Sequence, residues 1–214
     1  MRKIIMFAIL AMAPISIFAE EIKCDNSWYV GAKYHQNTDM NFKFVGNDLL
    51  GGLSYKESTS PSGYGLYGGC RLDKYFFYDI EMSFWQSKVG DDDLSVKTWA
   101  LSTMYSVGVG KEFLSTTIHS IMPYIAIGAG FGGLTVEINT PYYYLDTYNG
   151  RFFNLAYQVM AGMKFAALRH IEFDIGTKYI NYGKVENTTR LYDVKLGKSS
   201  VSAIEAFVGL AYKF

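Results

Sequence analysis

From residue 28 onward the chain alternates apolar and polar positions with a period of two, and turn residues interrupt the alternation. Successive side chains point to opposite faces of a strand, so each alternating run predicts a strand with one apolar face. Eight runs are read this way: 28–35, 64–72, 75–86, 97–111, 123–134, 152–165, 171–182 and 202–214. In 75–86, Phe76, Tyr78, Ile80, Met82 and Phe84 oppose Asp79, Glu81 and Ser83. In 97–111, Trp99, Leu101, Tyr105, Val107 and Val109 oppose Ala100, Ser102, Ser106, Gly108 and Gly110. The first run sets Trp28, Val30, Ala32 and Tyr34 against Lys33 and His35. The last sets Ile204, Ala206, Val208, Leu210, Tyr212 and Phe214 against Ala203, Glu205, Phe207, Gly209, Ala211 and Lys213.

The run PYIAIGAGFGGL carries glycine at 128, 130 and 132, all on one face. Alternate glycines weaken an ordinary strand. They suit a wall that must leave room for large side chains crossing a narrow lumen. A phosphate-binding loop needs a helix after its glycines, and Thr135, Val136 and Ile138 do not supply one. Connections alternate in length: 73–74 and 166–170 are short, whereas 36–63, 87–96, 137–151 and 183–199 are long. The stretch 112–122 is long where a short turn is expected.

The final segment, SAIEAFVGLAYKF, resembles the C-terminal signal strand of Gram-negative outer-membrane β-barrels. The resemblance implies that Phe214, Tyr212 and Leu210 are read by the barrel-assembly machinery and that this strand closes against the first. The pair FNLAYQVMAGMKF and HIEFDIGTKYINYG resembles the sixth and seventh strands of the small eight-stranded family of OmpA-like and opacity-type surface proteins. Together these imply an all-β fold, an eight-stranded antiparallel transmembrane up-and-down β-barrel. They also imply extracellular long loops, periplasmic termini, and contact with outer-membrane lipids and lipopolysaccharide.

The first nineteen residues, MRKIIMFAILAMAPISIFA, read as a secretory signal peptide, with Arg2 and Lys3 ahead of an apolar region and cleavage expected before Glu20. Residues 20–214 then form one domain's worth of chain. The 20 basic and 20 acidic residues balance; without Arg2 and Lys3 the balance is 18 to 20, or −2. That argues against nucleic acid as a partner. Beyond the leader, the apolar residues are spread by alternation rather than gathered into a helical span, as expected of a barrel.

Lys33, Arg71, Asp79, Glu81, Lys97, Lys111, Glu172, Asp174, Lys178 and Glu205 are assigned to the inner face. They read as a mutually neutralising network rather than as acid–base catalysts. A lumen of eight strands has room for little beyond its own side chains. His119 and His170 fall in short-side turns. His35 falls near the rim of the first strand, where lipid-A-modifying barrels hold a catalytic histidine, so such an enzyme is an alternative, though no local motif supports it. No metal-ligand spacing is present, and no cofactor is expected. Cys24 and Cys70 sit near one end of the first two strands, as a disulfide or as two thiols. The loop tip with Tyr142, Tyr143, Tyr144 and Tyr148 suits recognition, with host surface or matrix proteins as candidate partners. Asp91, Asp92 and Asp93 read as a solvated loop. The first loop, with Phe42, Phe44, Leu49 and Leu50, is unusually apolar. The expected work is non-enzymatic surface contact. A narrow pore, a small-hydrophobe transporter and a soluble lipocalin-type barrel are the other readings.

Overall fold

The computed structural model describes residue 24 and residues 28–46, 54–90, 95–113, 120–139, 150–188 and 195–214. The signal-peptide reading, the tyrosine tip at 142–148, Asp91–Asp93, His119 and the apolar Leu49 and Leu50 lie outside them. So do the side chains of Phe42, Phe44 and Lys97.

The described strands are β1 (Trp28–Gly46), β2 (Ser54–Thr59), β3 (Ser62–Arg71), β4 (Phe76–Gly90), β5 (Ser95–Gly110), β6 (Ser120–Asn139), β7 (Gly150–Leu168), β8 (Ile171–Thr188) and β9 (Lys195–Lys213). All pairings are antiparallel between neighbours, and β9 returns to β1, closing the sheet. The lower part of β1 pairs with β3 and its upper part with β2, so β2 and β3 form one stave of an eight-stave barrel. The break between them falls at Ser60 and Pro61. Proline cannot donate to a ladder, and here its carbonyl accepts from the Asn37 N–H at 2.9 Å.

Alternation sorts the wall as the sequence predicts. Val30, Leu66, Ile125, Ile127, Val159, Ile175, Val208 and Leu210 stand exposed on the outside, while Lys33, Asp79, Glu81, Glu172, Asp174, Lys178 and Glu205 are buried inside. Aromatic rings border the outer apolar band. Tyr34, Tyr64, Phe84, Phe131, Tyr157 and Tyr179 lie toward the long-loop end; Trp28, Phe76, Phe173, Tyr212 and Phe214 lie toward the turn end. Phe76 to Phe84 is eight strand steps, about 26 Å along the strand at ~3.3 Å per residue. A tilt of about 40° reduces that to about 20 Å of height, close to the apolar band of an outer-membrane barrel. So large an apolar exterior demands hydrocarbon around it.

Two expectations are corrected. The segment 36–63 is largely strand rather than loop, since β1 runs to Gly46 and pairs with β2. The stems of the other long connections continue likewise, to Gly90, Asn139 and Thr188. Beyond the apolar band the exterior no longer contrasts with the interior, so hydrophobic alternation fades while hydrogen bonding persists. Lys111 is exposed rather than inward. β5 ends at Gly110, and the lysine ammonium instead lies 5.6 Å from the Phe113 ring centre.

Above the band the wall divides. The β3–β4 pairing ends at Ser62 opposite Gln86, and no described pairing joins β2 to the upper part of β4. The β7–β8 pairing ends at Tyr157 opposite Asn181, next to Gly183, whose φ of 83° suits glycine. The upper barrel is thus two four-stranded blocks, β2–β1–β9–β8 and β4–β5–β6–β7.

Candidate functional site: the filled lumen and its rims

The lumen is filled by its own side chains in layers. Toward the turn end, Tyr29, Tyr67 and Ala211 form one buried cluster. Phe77, Met122, Tyr124, Ala126, Met160 and Phe207 form another. Toward the loop end, Met40, Trp85, Ala100, Met104, Ala156, Ile180, Tyr182, Val201 and Ala203 form an apolar cap. Backbone glycine makes the crowding tolerable. A Cβ at Gly132 would sit 2.9 Å from the Tyr182 ring, and one at Gly176 would sit 2.7 Å from the Phe207 ring. Of the alternate glycines of β6, Gly132 leaves space for the Tyr182 ring, whereas a Cβ at Gly128 or Gly130 would first meet Ser106 Oγ or the Thr103 carbonyl of the neighbouring strand.

Between these layers lies a connected charge network. Lys178 Nζ reaches Glu81 Oε1 at 2.6 Å and Glu205 Oε2 at 3.2 Å. Lys33 Nζ reaches Glu81 Oε2 at 3.2 Å and Asp174 Oδ2 at 3.3 Å. Lys164 Nζ lies 3.5 Å from Glu172 Oε1, 3.8 Å from Asp79 Oδ2 and 3.9 Å from Asp174 Oδ2. Tyrosines complete the carboxylates: Tyr29 donates to Asp79, and Tyr124 donates to Asp174 at 2.9 Å. Lys33 and Lys164 also lie 4.3 Å from the ring centres of Tyr67 and Tyr29, so aromatic faces supply part of their solvation. Lys33, Lys164, Lys178, Glu81, Glu172 and Asp174 each meet more than one opposite charge, Asp79 meets Lys164 with the Tyr29 hydroxyl beside it, and Glu205 meets Lys178, and such pairing is the condition for tolerating charge in a dry interior.

His35 is not at the rim. It is buried within the network, Nε2 3.4 Å from Glu81 Oε1 and Nδ1 3.5 Å from Glu205 Oε2, with its ring against Phe207. No hydroxyl nucleophile is hydrogen-bonded to it among the described contacts, so it lacks the nucleophile–base pair of acyl-transfer chemistry. Among the described residues no His, Cys, Asp and Glu group has metal-binding geometry.

The turn-end rim is latched. Arg71 joins Glu112 and, at 3.3 Å, Glu172, and Lys213 adds a 3.8 Å contact to Glu172. The Asp73 carboxylate accepts from the Phe76 and Tyr75 N–H groups at 2.7 and 2.6 Å. These bonds, Phe76's first, hold its pKa below the usual carboxylate range. Cys24 and Cys70 are disulfide-bonded, with Cα atoms 5.8 Å apart, tying the segment before β1 to the end of β3. At the seam, the Phe214 N–H donates to Trp28 O at 2.9 Å, and His170 stacks on Tyr212 at 5.5 Å. Phe214, Tyr212 and Leu210 are all exposed on the outer face.

Sequence reasoning left Lys164 out of the charged network and missed the inward Tyr29, Phe77, Trp85, Tyr124 and Tyr182. Their alternation signal was present: Phe77 and Trp85 are in step with Asp79 and Glu81.

A closed barrel, apolar outside and plugged with charge inside, is a transmembrane β-barrel. The family model described as outer membrane protein beta-barrel domain matches residues 5–214, and the chain belongs to that family of bacterial outer-membrane proteins. No curated protein matches it. Among solved structures, Neisserial surface protein A is 14% identical, with TM-score 0.54, covering 89% of this chain and 100% of that one. OprG from Pseudomonas aeruginosa is 12% identical, with TM-score 0.52, covering 89% and 97%. The outer membrane protein AlkL, solved in lipid bilayers, is 12% identical, with TM-score 0.52, covering 88% and 90%. At such identities the likeness speaks to fold.

Proposed function

We propose that this is a non-enzymatic surface protein. Its loops extend outside the cell, its turns and termini face the periplasm, and it acts by contact with host surface or matrix proteins. The reading is carried by the lumen. Charged struts beneath an apolar cap of buried side chains occupy the described interior, which supports placing function at the loop end. The tip with Tyr142, Tyr143, Tyr144 and Tyr148 is the candidate contact, since tyrosine gives large contact area at low entropic cost. Residues 1–19 act as the export signal. Cells displaying the protein should bind immobilised matrix protein, and replacing the four tyrosines with serine should reduce binding at equal surface display. Unchanged binding, or loops resistant to protease on whole cells, overturns the reading.

The apolar cap favours one second reading, passage of a small apolar molecule. Uptake of such a probe by cells, compared with Trp85→Arg cells, tests it. Catalysis by His35 is not part of either reading, and His35→Ala should leave the lipid A mass spectrum unchanged.

Phe214, Tyr212 and Leu210 are proposed as the assembly signal. Deleting Phe214 should lower the amount of folded, heat-modifiable protein in the outer membrane. Normal accumulation of the truncated chain counts against that role.

A further inference from the structure

Above the apolar band the irregularities of the wall fall along one line, all on one side of the barrel. β1 and β9 lose register between Asn37 and Asp39, where Thr38 is the extra residue and its hydroxyl donates to the Ile204 carbonyl at 3.1 Å. The Asn37 N–H meets Pro61 O at the break between β2 and β3. On the far side of β9, Asn181 pairs with Ser202, and the next pair, Lys184 with Ser200, leaves two residues of β8 against one of β9. Gly183, with its φ of 83°, is one of those two. A bulge sets two residues opposite one, bends its strand and interrupts the ladder. The facing block has none at this level: the β4–β5, β5–β6 and β6–β7 ladders run through it without a shift.

Both divisions of the wall begin at the same line. The β3–β4 ladder stops at Ser62 and Gln86, next to Pro61, and the β7–β8 ladder stops at Tyr157 and Asn181. Above it, no described ladder bond joins the β2–β1–β9–β8 block to the facing block. Inside the block the ladders hold, with β1 paired to β2 on one side and to β9 on the other from Met40 to Val45. A stiff sheet on a row of interrupted ladders is a hinge, because a few residues absorb the rotation. The apolar cap is shared between the blocks: Met40, Tyr182 and Val201 come from one, and Trp85, Met104 and Ala156 from the other. Across that boundary the Trp85 Nε1–H donates to the Tyr182 hydroxyl at 2.8 Å, and the Tyr182 ring fills the room left by Gly132.

We propose that the upper β2–β1–β9–β8 block is a flap that turns about this line and opens the loop-end mouth of the lumen down to the Lys178–Glu81 strut, with Tyr182 against Trp85 as its latch. The inference is independent of the surface-contact reading. The full-length mature protein carrying Trp28→Phe and Trp99→Phe keeps Trp85 as its one tryptophan. In phosphatidylcholine vesicles acrylamide should quench it poorly, since Trp85 is 2% exposed. Tyr182→Phe removes the latch hydrogen bond and should raise the quenching constant about fivefold, the population shift that one lost hydrogen bond gives. A Cβ at Gly183 would lie 3.3 Å from the Asn154 Cβ, so Asn154→Cys/Gly183→Cys can staple β8 to β7 across the division. In the Tyr182→Phe background the oxidised staple should return quenching to its starting level, and reductant should release it, with the unstapled protein in reductant as the baseline. Amide exchange carries the test if the stapled chain does not fold. In Tyr182→Phe, the amides at 38, 39 and 181–183 should exchange faster while those at 41–45 stay protected. Three results overturn the proposal: no rise in quenching with Tyr182→Phe, a rise that survives the oxidised staple, or joint exchange of 38–45, which would mean that the block unravels rather than turns.

Discussion

Lys178 Nζ of β8 lies 2.6 Å from Glu81 Oε1 of β4, and these two staves stand four places apart in a ring of eight. The ion pair is therefore a strut across the full width of the lumen. Trp85 and Tyr182 repeat it one layer up, joined by a 2.8 Å hydrogen bond between the same two strands. The two struts tie opposite walls together through the interior rather than through the sheet.

Removing Lys178 leaves the buried Glu205 without its lysine, while Glu81 keeps Lys33 at 3.2 Å. Such losses cost about 3–5 kcal/mol, so Lys178→Met should lower stability by that order in detergent-phase denaturant unfolding. Glu81→Gln combined with Lys178→Met should cost less than the sum of the two single changes, because the ion pair they share is lost only once. Strict additivity would show that the pair does not act as a unit.

The outer face makes a prediction opposite to that for a soluble protein. Ile127 is 68% exposed, and substitution at such a site usually changes stability by about ±0.5 kcal/mol in water. At the membrane midplane an arginine costs about 2–4 kcal/mol. Ile127→Arg should therefore shift the urea midpoint strongly in lipid vesicles. A shift no larger than that of Lys74→Gln in the exposed turn would mean that this face does not meet hydrocarbon.

Crowding in the lumen can be tested at a single atom's scale. A Cβ at Gly176 would meet Ala161 O at 2.5 Å and the Phe207 ring at 2.7 Å. Forcing a methyl into a filled interior typically costs about 1–3 kcal/mol. Gly176→Ala should be destabilised by that amount, and Gly176→Ala with Phe207→Leu should recover part of it. No recovery would place the strain in the backbone contact instead.

These features were unequally legible in the sequence. The wall was readable because lipid outside and packed charge inside impose a two-residue contrast, clearest from Phe76 to Trp85. Alternation names a side but not a partner, so it placed Glu81 and Lys178 inside without revealing that they meet. His35 shows how an error of length becomes an error of depth. Ending the first strand at residue 35 put the histidine at a rim, whereas β1 continues to Gly46 and leaves it mid-lumen between Glu81 and Glu205. The stems were hidden for a related physical reason, since beyond the membrane the outer face no longer meets lipid and the two-residue contrast weakens.

The disulfide makes a prediction about folding rather than function. Cys24 and Cys70 are separated by 46 residues in sequence. Closing a loop of that size in the unfolded chain stabilises the native state by about 4 kcal/mol in the chain-entropy model. Cys70 is fully buried and lies opposite Trp28, beside the seam where β9 meets β1. The barrel's hydrogen-bonded closure does not depend on the bond, so Cys24→Ala/Cys70→Ala should still be exported and inserted. Its refolding into vesicles should be slower and its urea midpoint lower, and adding reductant to wild type should reproduce both effects. Peptide mapping without reductant should recover the 24–70 cross-link from protein purified from the outer membrane. Midpoints that ignore both the substitutions and the reductant would assign the whole stability of this rim to the Arg71, Glu112, Glu172 and Lys213 latch.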